Sequence, residues 1–238
     1  MLDATEIEAL FTRSDESYVF ARWGRAISPV VFGVNDATLK VVKGAIEAVC
    51  LVSNHHMAET DPELGSNAMF FFFSEWAELL EVPKLDELVP DLTGMVARVS
   101  AVDANQYRVF RFDEEGAIKA CFTFIRMDQH MSDVPAETLA LSQAVQMMVL
   151  WSDRAFVSVS PLAVVEGGGV IVKPEISGLL AAAYDAVMPV AANDPSHALR
   201  LFARVGEDIL GLLRRLALLS LIVCEQHLGL LAQRRRLL

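Results

Sequence analysis

Along the chain the spacing of hydrophobic and polar positions changes several times, and each change marks an element. A short helix over residues 4–12 gives way to extended segments at 18–23 and 28–34. Asn35 and Asp36 stop the second of these, with Asp36 as the helix cap, and Leu39, Val42, Ile46 and Val49 then fall on one face opposite Lys40, Lys43 and Glu47. Apolar residues three and four apart make one stripe of an amphipathic helix, here expected to end near Ser53 or Asn54. Next comes Met69-Phe70-Phe71-Phe72-Phe73 between Asn67 and Ser74. A continuous apolar run predicts a strand covered on both faces, the centre of a sheet.

The middle of the chain is looser. It holds a helical turn over 75–80 and a short helix over 85–88 between Pro83 and Pro90. Strands over 106–112 and 117–126 bracket the acidic turn Asp113-Glu114-Glu115-Gly116, so they pair as a hairpin. A long, almost wholly apolar helix follows over 137–153. Apolar runs over 156–165 and 170–172 flank Gly167, Gly168 and Gly169, a flexible turn without the spacing or the following helix of a phosphate loop. Pro174 starts a helix over 174–187, and Asp194 with Pro195 opens a final helical region that Gly206 bends or divides. From Glu207 onward that region is apolar on most of its circumference, so it is expected to pack on the domain or against a partner. Leu210, Leu213, Ala217, Leu221 and Cys224 form the expected interface stripe.

Composition narrows the class. A chain of 238 residues with 53% hydrophobic and 21% charged content has ample material for a packed core. Its net charge of −11 belongs to the front half, where residues 1–133 carry 22 acidic against 11 basic side chains. Such a body repels phosphate backbones, and the one run of three basic residues is Arg234-Arg235-Arg236, so no nucleic-acid partner is expected. Cys50, Cys121 and Cys224 each lie in an apolar run and read as buried free thiols, which suits a reducing compartment. The N-terminus lacks the basic and apolar regions of a secretory signal, so the chain as written reads as cytoplasmic, with a mature exported domain left open. No apolar stretch reaches the roughly 20 residues of a transmembrane helix.

The helix over 137–153 carries the question of chemistry. Its interior polar residues Ser142, Gln143 and Gln146 fall at i, i+1 and i+4, the spacing of a His-Glu-x-x-His zinc helix. All three are neutral, and an amide at Gln143 cannot take a proton from water as the base of a metallopeptidase must. The plain expectation is a buried helix whose few polar groups bond to neighbours. Elsewhere His55-His56 is the one pair of adjacent imidazoles, with His130, Glu63 or Asp61 as possible third ligands that no spacing pins. His197 and His227 read as structural. No nucleophile elbow, Cys-x-x-Cys, Walker loop or dinucleotide fingerprint is present, and no cofactor is expected.

The order strand, helix, strand, strand, strand, helix up to residue 151 is similar to the N-terminal half of the zincin metallopeptidase fold. Arg22-Trp23, Asn67, Gln146 with Ser152-Asp153, the stretch 158–161, Tyr184-Asp185 and Pro189 together resemble a family of uncharacterised bacterial zincin-like domains of unknown function. The resemblance spans about residues 18–205. It implies a degenerate member, because that family's acidic residues are replaced by Ser142 and Gln143. The expected fold is α+β, a zincin-like mixed sheet packed on two long helices (residues 1–205), with a C-terminal helical extension (206–238). The expected role is non-catalytic, a pseudo-metallopeptidase acting in protein binding or assembly. The alternatives are a metal-dependent hydrolase using His55, His56 and His130, and a small-molecule binding domain using the cleft where the metal would sit.

Overall fold

In a β-strand successive side chains point to opposite faces, and the aromatic run shows what that demands. Phe70 and Phe72 pack into one hydrophobic layer, while Met69, Phe71 and Phe73 pack into another on the far side. A sheet carrying this strand has to be covered twice.

The computed structural model describes residues 2–205. In chain order the elements are α1 (Ala4–Phe11), β1 (Phe20–Ala21), β2 (Pro29–Phe32), α2 (Asp36–Val52), β3 (Ala68–Phe73), a 3-10 helix (Trp76–Glu81), α3 (Leu85–Leu88), α4 (Leu92–Ala101), β4 (Gln106–Phe112), β5 (Ile118–Arg126), α5 (Gln129–Ser132), α6 (Ala136–Met148), β6 (Leu162–Val164), β7 (Val170–Val172), α7 (Pro174–Ala183), β8 (Ala191–Ala192) and α8 (Ser196–Val205). The main sheet has the order β2-β3-β5-β4. β2, β3 and β5 are parallel and β4 runs antiparallel on the edge, so the fold is α+β with a mixed sheet. Helices α2 and α6 pack against each other on one face. The 3-10 helix, α3 and α4 cover the other with Trp76, Leu79, Leu85, Leu92, Met95 and Val99.

Local chemistry sets the ends of these elements. Asn35, one residue before the expected cap, accepts the Thr38 amide and starts α2, whose Val42, Ile46 and Val49 are buried and whose Leu39 is half-buried. β2 stops at Gly33, where the backbone is left-handed and a Cβ would lie 1.9 Å from the Phe72 carbonyl oxygen, so no larger residue fits. Asp3 and Glu6 form a reciprocal capping box on α1.

Several elements differ from the sequence expectation, among them α7, which ends at Ala183 and not at 187. Helix α4 lies in the stretch read as loose, its Leu92, Met95, Val96 and Val99 buried one turn apart. α6 ends at Met148 instead of continuing to 153. Val149 pairs with Arg22, and the Leu150 amide donates to the Ala21 carbonyl, so strand-like pairing takes over. The strand over 156–165 shortens to β6, and Phe156 adopts φ +63°. No described helix is long and apolar enough to cross a membrane. The expected interface stripe from Leu210 to Cys224 lies outside the described residues, as does the expected 206–238 extension itself.

Candidate functional site

Helix α6 presents Ser142, Gln143 and Gln146 toward the edge strand. Gln143 is buried, and Ser142 and Gln146 are half-buried. One turn apart, Gln146 Nε2 donates to Ser142 Oγ at 2.9 Å. Alternation along β4 puts Gln106 and Arg108 on one face, and Arg108 crosses to the helix. Its Nη1 donates to Gln146 Oε1 at 3.0 Å, and its Nη2 donates to Gln143 Oε1 and, at 3.4 Å, to Gln106 Oε1. Gln143 Nε2 closes the ring by donating to the same Gln106 oxygen at 3.0 Å. The three positions at zinc-helix spacing therefore come together, and what stands over them is a guanidinium.

Arg108 makes no ion pair among the described residues, and its Nε is buried without a partner. Burial pushes its pKa down to about 10, which leaves it cationic at neutral pH. The nearest thiol, Cys121, is pushed up to about 11 by burial and stays protonated. This donor set does not fit zinc. Amide and hydroxyl oxygens are weak ligands for it, and a fixed cation hydrogen-bonded to two of them repels a dication from the same space. Nor can any of the five side chains Ser142, Gln143, Gln146, Gln106 and Arg108 serve as a base at pH 7.

The histidines occupy separate environments. His55 is half-buried, and its Nε2 lies 3.0 Å from the Arg25 carbonyl, so that nitrogen carries the proton. Burial, and then the neighbouring His56 and Arg22, hold its pKa near 4. His56 is exposed with its ring 5.3 Å from that of His55, and His130 is exposed on α5. The carboxylates weighed as third ligands are otherwise engaged. Asp61 accepts the amides of Glu63 and Leu64 and the Asn67 side chain, while Glu63 pairs with Arg25 and Lys119. Among the described residues no three His, Cys, Asp or Glu side chains converge as a metal site. His197 is buried against Phe20 and shares a 2.8 Å hydrogen bond with Tyr18.

Several residues that carry the family resemblance meet as internal wiring. Trp23 Nε1 donates to the Met147 carbonyl at 2.8 Å, and the Tyr184 hydroxyl donates to the Met148 carbonyl at 2.6 Å while accepting the Trp23 amide. These bonds satisfy carbonyls that the end of α6 leaves without helical partners. Arg22 lies over the Tyr184 ring at 5.4 Å and donates to the Met188 carbonyl. Asn67 bridges the Ser28 amide, the Ala26 carbonyl and Asp61. Ser152 and Asp153 fasten the chain after α6 to Ala9 and Ser14.

Sequence reasoning missed Arg108 and Gln106. The available signal was their period-two placement on an otherwise apolar strand face, with Phe110 following, which asks for a polar partner on whatever packs above. Comparison of the chain with protein-family models, curated proteins and solved structures gives no match.

Proposed function

We propose that this chain is a non-catalytic domain of zincin-like layout that works by binding protein, assembling with itself through the segment that follows α8. One observation carries the non-catalytic part. The side chains at metal-motif spacing are neutral, and Arg108 is hydrogen-bonded across them. The succession β2, α2, β3, β4, β5, α6, with a mixed sheet over the last helix, supports the layout. Assembly is supported by Leu199 and Phe202, 60% and 41% exposed on the last described helix, immediately before the leucine-rich sequence of 206–238.

Light scattering on the full chain and on a version ending at Val205 tests this reading. A cooperative urea transition of the shortened chain, followed by circular dichroism, establishes that it folds before its mass is compared. The full chain should have at least twice the mass of a monomer and the shortened chain the mass of one. Monomers in both cases would contradict assembly through this segment.

A further inference from the structure

On the face of the sheet away from α6, the 3-10 helix, α3 and α4 leave a cleft of about 420 Å³ lined by Leu80, Asp86, Asp91, Leu92 and Thr93. Leu80 is 47% exposed, and Leu88 on α3 is 37% exposed. Two exposed leucines alone would call for no partner. Their charged surroundings single them out.

The stretch 75–91 carries six carboxylates against Lys84 alone. Three of the six are engaged, since Glu75 and Glu78 cap the 3-10 helix and Asp91 pairs with Arg98. Glu81, Asp86 and Glu87 are exposed and accept no hydrogen bond or ion pair among the described residues. The chain itself contains the complement. Residues 206–238 hold five arginines against three acidic residues, in a protein whose net charge is −11. Within them Leu212-Leu213-Arg214-Arg215-Leu216 sets two arginines among three leucines, inside the stripe from Leu210 to Cys224 expected to form an interface. An apolar surface edged by unpaired carboxylates fits a partner that is both apolar and cationic, and opposite potentials speed the encounter and fix its register. Val205, from which this segment continues, lies in the hydrophobic layer on the other side of the sheet, so the cleft faces away from the origin of its own segment.

We propose that this cleft receives the 212–216 stretch of a second copy, its leucines against Leu80 and Leu88 and its Arg214 and Arg215 against Asp86 and Glu87. This docking rests on the assembly proposed above and names the surface that the segment meets. Two copies exchanging segments in this way form a closed dimer.

Light scattering on the full chain measures it, with urea unfolding of each variant to establish that it folds. The unaltered chain should assemble, and raising sodium chloride from about 0.05 to about 0.5 M should weaken the assembly, because exposed ion pairs are screened. Asp86→Lys with Glu87→Lys should raise the dissociation constant roughly tenfold. Adding Arg214→Glu with Arg215→Glu to that variant should bring it back toward the unaltered value, which damage to the fold could not do. An assembled chain whose mass ignores the first pair of substitutions, or a full reversal without recovery, would overturn this docking and leave assembly standing. So would assembly of the unaltered chain that is indifferent to salt, whatever the variants do. A monomeric unaltered chain would overturn both.

Discussion

Replacing Arg108 by methionine removes the guanidinium and keeps most of its apolar stem against α6. Gln143, Gln146 and Gln106 then each lose a charged donor. Gln106 is exposed and Gln146 half-buried, so water can replace the donor there. Gln143 is 2% exposed, and its oxygen is left without the arginine's hydrogen bond. An unsatisfied buried acceptor costs about 1–3 kcal/mol, and the weakened bond to Gln146 adds about 1 kcal/mol, so Arg108→Met should destabilise the protein by roughly 2–4 kcal/mol. Urea unfolding followed by circular dichroism measures this as a lower midpoint at unchanged slope. Recovery should follow when the stranded partners are removed as well. Adding Gln143→Leu and Gln146→Leu to Arg108→Met replaces both sides of the network by apolar groups and should restore most of the loss. If Arg108→Met alone stays within about 0.5 kcal/mol of the unaltered protein, the guanidinium is not satisfying buried groups and the account of this cluster fails.

Other consequences are open to direct measurement. Tyr184→Phe removes the hydroxyl that joins the Met148 carbonyl to the Trp23 amide, and should cost about 1–2 kcal/mol in thermal or urea unfolding; an unchanged midpoint would refute its role at the end of α6. Burial lowers the His197 pKa from 6.5 to about 4. The unfolded chain therefore binds a proton that the folded one refuses, and stability should fall as pH drops from 6.5 toward 4. His197→Gln should flatten that interval relative to the unaltered protein, and parallel curves would contradict the assignment. Cys50 and Cys121 are buried, their thiols pushed up to about 12 and about 11. Both should stay unmodified by iodoacetamide at pH 8 in the folded protein and react in urea, as read by peptide mass spectrometry; rapid labelling when folded would count against their burial.

What could be read from the chain and what could not divide along the range of the interactions. The run Met69 to Phe73 has no polar position, and a strand without one needs cover on both faces, so its central place was legible from five residues. The α2 stripe was legible for the same reason, since helical periodicity is local. Helix α4 also carried a local signal, Asp91 before Leu92, Met95 and Val99, but the adjacent Pro90 and the interior Gly94 obscured it. The end of α6 was not legible, because Val149 leaves the helix to pair with Arg22, 127 residues earlier in the chain. Ser142, Gln143 and Gln146 could be singled out by spacing alone. That Arg108 would lie over them depends on the register of α6 across the sheet, which no local pattern encodes.

The central claim is that the space over the α6 motif positions belongs to an arginine and not to a metal. Elemental analysis of untagged full-length protein, purified without added metal and then titrated with zinc, tests it most directly. The account predicts substoichiometric zinc on purification and no tight binding that responds to Gln143→Ala or Gln146→Ala. One zinc per chain, lost on either of those substitutions or on substitution of His55 or His56, would contradict it.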